Sequence, residues 1–231
     1  MSESAKEYME LLKLDFFTTR IEWRLYRSLF GTNKETVDLL NEISGPTAHT
    51  LERILFERTL LNIRKLTDPA TGRRGRSKGV TVKGLKQFCN GDHGELTRLV
   101  SQAERAASFA RNWADKRIVH SDLDYRLGNA KLETASRQKV ENVLEAISLV
   151  IKWFAKEKLG YNLNTHPVPA LKDERLFLET LYKGQLARRE EKLHRKTLRE
   201  DRNWDELDQF ESNIRDLPHW IKRDDPPIDV H

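Results

Sequence analysis

The chain has one cysteine, Cys89, in 231 residues, so no disulfide can close within it and no cysteine-based zinc site can be built. Glycine and proline are scarce, 11 and 7 respectively, and they cluster between periodic segments, which favours helix. No apolar run approaches the roughly eighteen residues of a membrane span, so a membrane partner is not expected. The first residues, Met1-Ser-Glu-Ser-Ala-Lys-Glu7, lack the basic-then-apolar pattern of a signal peptide. The expectation is a cytoplasmic protein. His49, His93, His166, His194 and His219 show no metal-ligand spacing, and neither a metal nor a cofactor is expected.

What is present is charge. One third of the residues are charged, 38% are hydrophobic and the mean hydropathy is −0.70. That balance suits long amphipathic helices with solvated outer faces. Five Trp and nine Phe make the chain too apolar for wholesale disorder. The net charge of +5 permits a nucleic-acid partner without requiring one. Its distribution says more, because Arg73, Arg74, Arg76, Lys78, Lys83 and Lys86 fall in a stretch with no carboxylate. Arg73, Arg74, Arg76 and Lys78 are candidates to hold RNA phosphates, and the alternative is a loop that is basic for solubility alone. A second basic concentration, from Arg188 to Arg202, is diluted by Glu190, Glu191, Glu200 and Asp201. It reads as a helix face laced with local ion pairs.

Apolar periodicity predicts a helix over about 4–29, with Leu11, Leu12, Leu14, Phe17, Ile21, Trp23, Leu25 and Leu29 inward. Gly31 stops it, and Thr32-Asn-Lys-Glu35 has capping-box spacing for the next helix. Pro46 breaks or restarts that helix, and a strongly periodic segment runs on to Leu66. A turn-rich loop spans Asp68 to Gly79, and Thr81 caps a short helix ending near Cys89. Further helices are expected over 93–113 and 134–158. The segment 160–169 has linker chemistry, so residues 1–160 form one domain and 161–231 a linker, a basic helical extension and a loose tail. The fold class is all-α, an up-and-down bundle with an additional C-terminal helical extension.

The segment Arg111-Asn-Trp-Ala-Asp-Lys-Arg-Ile-Val-His120-Ser-Asp122 concentrates the chemistry. A neutral imidazole moves a proton near neutral pH, and a neighbouring guanidinium meets charge that develops on phosphate oxygens. The plain alternative is a charged helix end, with Asp122 capping the next segment and Trp113 serving as packing.

Five pieces in order resemble signatures of the AbiU2-like branch of the HEPN superfamily. They are Trp23-Arg-Leu-Tyr-Arg-Ser-Leu-Phe30, Asp38-Leu-Leu-Asn41, Leu60-Leu-Asn-Ile-Arg-Lys-Leu-Thr-Asp-Pro69, Gly79-Val-Thr-Val-Lys-Gly-Leu85 and Asp115-Lys-Arg-Ile-Val-His-Ser-Asp122. The resemblance implies a HEPN-like helical bundle that pairs as a homodimer and cleaves RNA without a metal. It also implies a toxin or antiphage role, with an antitoxin or another defence-system protein as a partner. A non-catalytic HEPN module that binds RNA or assembles with proteins is the alternative. The family motif is an arginine, a polar residue and then a histidine. His120 matches the histidine and Asp115 the polar position, but Ala114 stands where the arginine is expected. Arg111, one turn earlier, or Arg117, from the following loop, is the candidate replacement. In this reading His120 is the general acid or base, Asp122 orients it and Asp115 orients an arginine.

Overall fold

The computed structural model describes residues 3–71, 79–89, 93–119, 122–166 and 173–214. Helix α1, Glu3–Tyr26, buries Met9, Leu12, Phe16, Thr19, Trp23 and Tyr26, a stripe of strict three- and four-residue steps. The helix therefore carries two apolar faces and uses one. Leu11, Leu14 and Ile21, expected inward, are 53%, 63% and 45% exposed. Thr19 can sit in the buried stripe because its hydroxyl donates to Asp15 O at 2.7 Å, which removes the cost of an unpaired polar group. The α-helix ends at Tyr26 and the chain continues in a wider π turn, Arg27–Gly31.

Helix α2, Lys34–Thr67, is capped by Asn33, whose side chain accepts from Thr36 N at 2.8 Å. The capping box expected at Thr32 does not form, because the Thr32 hydroxyl donates back to Arg27 O. Ser44, at φ −163° and ψ 92°, breaks α2, and Pro46 enters the first turn of the restarted helix, where its missing N–H costs nothing. Thr81 caps a 3₁₀ helix, Val82–Phe88, through its hydroxyl and Gly84 N. The helix expected over 93–113 is two helices, α3, Gly94–Ala106, and α4, Ser108–Trp113, with a break at Ala107 (φ −86°, ψ 2°). After a π turn, Ala114–Ile118, comes the short α5, Leu123–Arg126. Helix α6, Arg137–Phe154, buries Val140, Val143, Leu144, Ile147, Val150, Ile151 and Phe154.

Helix α1 packs along α2 and α3 along α6, around a core dominated by Phe16, Phe109 and Phe154. Burial of each such ring contributes roughly 2–3 kcal/mol. Polar ties fix the register of the bundle. Trp23 Nε1 donates to Glu141 at 2.8 Å and Asn62 Nδ2 to Glu22 at 2.6 Å. Residues 161–166 stay with this bundle: Tyr161 and Leu163 pack on the core and Thr165 shares a buried 2.7 Å hydrogen bond with Ser148.

The chain divides into two compact units, Met1–Leu176 and Phe177–His231. The division falls inside helix α7, Asp173–Glu200. In the second unit Asn203 caps α8, Trp204–Ile214, through Glu206 N at 3.4 Å. The basic face of α7 is laced with local pairs, including Lys183–Glu179 at 2.7 Å and Lys196–Glu200 at 3.6 Å. Among the described residues there is no strand, and no helix is long and apolar enough to cross a membrane.

Candidate active site

The π turn sets the geometry of the region that precedes His120. Val119 N donates to Ala114 O at 2.9 Å, a five-residue step that inserts an extra residue into the end of α4 and redirects the chain beyond it. Ala114 is completely buried. A guanidinium attached there would start inside the packed bundle, and the two arginines of the segment, Arg111 and Arg117, instead stand on either side of it.

Arg111 turns toward the end of α2, with Nε 3.5 Å from Asp68 Oδ1 and Nη2 donating to Thr67 O at 3.5 Å. Asp68 also meets Arg64 at 3.3 Å, and Arg64 Nη2 lies 2.8 Å from Asp115. The four groups form one alternating chain of charge, Asp115–Arg64–Asp68–Arg111. Asp115 thus pairs with an arginine from α2 rather than with either neighbour in its own segment.

Arg117 belongs to a second cluster. Its Nε donates to Glu57 at 2.9 Å, its Nη1 to the Tyr125 hydroxyl at 3.3 Å, and its guanidinium stacks over the Trp113 ring, 5.4 Å from the centroid. The hydrogen bonds to Tyr125 and Glu57 raise its pKa against the opposing effect of partial burial. Its charge is therefore fixed. Glu57, only 15% exposed, also pairs with Arg53 at 3.5 Å. Trp113 packs edge-on against Phe56 and donates to Glu133 O at 2.7 Å.

Asp122 caps α5, where Oδ1 accepts from Tyr125 N at 2.8 Å. That cap orders the segment that carries the Tyr125 hydroxyl to Arg117. His120 lies outside the described residues, as do Arg73, Arg74, Arg76 and Lys78. The frame of the basic loop is fixed nonetheless. Gly79 N donates to Ala70 O at 2.8 Å, and the Tyr8 hydroxyl accepts from Thr81 N at 2.7 Å. Lys83 pairs with Glu104, which removes one cation from the basic stretch.

A cleft of about 530 Å³ opens beside Arg117. Helix α2 contributes His49, Glu52, Arg53, Phe56 and Glu57, the start of α6 contributes Ser136 and Arg137, and Tyr26 adds to the wall. The phenol of Tyr26 is held protonated by burial and by the charge of Glu52, with Arg137 opposing. Sequence patterning gives little sign of Glu57, Arg64, Tyr125 or Arg137 as members of these clusters, because most of their partners are far away in sequence or lie on other elements. The local signals are Arg53 four residues before Glu57 and Arg64 four residues before Asp68, both helical ion-pair spacings. Among the described residues no cluster of His, Cys, Asp and Glu has the makings of a metal site.

No curated protein and no solved structure matches the chain. The family model HEPN_AbiU2, described as AbiU2, matches residues 2–174, which takes in the bundle, both arginine clusters and the His120 segment. With an all-α bundle and that match over three quarters of its length, the chain belongs to the AbiU2 family of HEPN domains, the abortive-infection type.

Proposed function

We propose that the protein is a metal-independent endoribonuclease that acts as a toxin or antiphage effector. The observation that carries this reading is Arg117, a guanidinium kept charged and oriented by Glu57 and Tyr125, three positions before His120 in the family's catalytic segment. The imidazole of His120 takes the proton of a ribose 2′-hydroxyl, and O2′ attacks the adjacent phosphorus. The P–O5′ bond breaks, and O5′ leaves with a proton from a second acid, which His120 of a second copy supplies. The products are a 2′,3′-cyclic phosphate and a 5′-hydroxyl. Arg117 stabilises the charge gathering on the phosphorane oxygens, and Arg111 is the alternative donor from the other side of Ala114. Asp122 orients the imidazole through the carboxylate oxygen that its helix cap does not use. Asp115 acts on Arg64 and so, through Asp68, on Arg111. Arg73, Arg74, Arg76 and Lys78 hold the RNA backbone.

The reading requires a homodimer. Leu51 and Ile54 on α2, together with Val119, Leu123 and Leu127 after the π turn, are exposed at 41% to 69% and supply apolar surface for it. An antitoxin or another defence protein is the further partner.

The test is cleavage of labelled total RNA and tRNA by purified protein in excess EDTA, with His120→Ala alongside. Wild-type cleavage giving cyclic-phosphate ends, lost in His120→Ala, is the expected result. Arg117→Ala should lower the rate by about 100-fold or more. Activity that survives in His120→Ala would sink the proposal. The buried Ala114 favours one competing reading, a HEPN module that binds RNA or assembles with proteins without cutting. RNA that binds in a salt-dependent manner and stays intact under every trigger would establish it.

A further inference from the structure

The cleft beside Arg117 gathers more chemistry than one catalytic arginine needs. Its volume, about 530 Å³, is that of a small-molecule site. Its apolar wall is aromatic: Tyr26, Phe56 and Trp113 touch in sequence, with ring centroids 5.4 Å and 5.7 Å apart. Arg53, Arg117 and Arg137 line the same space and come from three different elements. Among the described residues only Glu57 forms an ion pair with any of them, and it is shared by Arg53 and Arg117. The partner of Arg137 is a neutral carbonyl, Gly31 O. Even with Glu52 counted, cations outnumber carboxylates. Guanidinium groups brought together this way repel one another until an anion joins them.

We propose that this cleft binds one phosphorylated nucleoside unit of the RNA. The phosphate lies among Arg53, Arg117 and Arg137, where planar guanidinium groups match its oxygens. The base lies against the Phe56–Trp113 wall, and the guanidinium already stacked on Trp113 extends that platform. Tyr26 keeps its phenolic proton beside Glu52, so a donor and an acceptor stand together to meet a base edge. Glu52 also repels phosphate, which orients the ligand. The identity of the ligand as RNA rests on the ribonuclease reading; the recognition chemistry does not.

The experiment is calorimetric titration of the full chain with 5′-AMP, adenosine and inorganic phosphate in metal-free buffer. AMP is expected to bind, with adenosine and phosphate each weaker by about tenfold or more. Arg137→Gln and Arg53→Gln should each weaken AMP by about tenfold with an unchanged thermal midpoint. Arg53→Gln guards against loss of fold at Arg137, which also holds the Gly31 carbonyl. Equal affinity for phosphate and AMP would reduce the cleft to an anion site and overturn the proposal. So would undiminished AMP binding in both variants, or no AMP binding at all. His120→Ala should retain AMP binding. AMP binding by a protein that never cleaves RNA removes the nuclease reading alone, whereas His120-dependent cleavage without AMP binding removes this inference alone.

Discussion

Ala114 occupies the position where the HEPN resemblance calls for an arginine, and it is completely buried. A guanidinium there would have to be desolvated where Ala114 exposes no surface or force the π turn open. Ala114→Arg is therefore expected to destabilise the protein by about 3 kcal/mol or more rather than restore a motif, as urea unfolding would measure. Unchanged stability would mean that the pocket accepts a cation. At this scale the sequence shows which side chains are candidates for chemistry but not what holds them. Arg111, Asp115 and Arg117 are legible as candidates from their types and proximity. Their partners Asp68, Arg64 and Glu57 sit 43 to 60 positions away, and no local spacing encodes that. Asp122 is half legible, since its cap onto Tyr125 N reflects the ordinary preference of aspartate for that position.

Elements show where local rules hold and where packing overrides them. The α6 stripe is read correctly because it has a single apolar face. Helix α1 offers two, and the choice of Met9, Leu12 and Phe16 over Leu11 and Leu14 depends on neighbours that periodicity cannot see. The 3₁₀ helix at Val82–Phe88 depends on a close approach of the same kind. A Cβ on Gly84 would overlap the Tyr8 hydroxyl and its ring carbon, and that hydroxyl is held by Thr81 N at 2.7 Å. Gly84→Ala should cost about 1–3 kcal/mol, with a smaller penalty in a Tyr8→Phe background. A double-mutant cycle by thermal melting measures this coupling, and strictly additive effects would show that Tyr8 does not restrain Gly84. Because Tyr8 also anchors Gly79 and Thr81, it ties the base of the basic loop to α1.

At the scale of the molecule, the compact unit Met1–Leu176 nearly coincides with the family match over 2–174. It contains the large buried side chains of the core. A fragment ending at Leu176 should therefore melt cooperatively within about 5 °C of the full chain, as calorimetry would show. A fragment without a cooperative transition would mean that the bundle needs the second unit. By itself, the sequence determined that this protein is helical, because sparse glycine and proline and single-faced stripes such as that of α6 leave the backbone no better way to bury its apolar groups. It also determined the family, through short signatures in a fixed order. The tertiary structure decided how the candidate site is assembled. Which face of α1 turned inward, that Asp115 answers to Arg64, that Glu57 holds Arg117, and that three distant arginines share one aromatic cleft all depend on packing between elements. Such contacts join residues far apart along the chain, where composition and periodicity carry no record of distance.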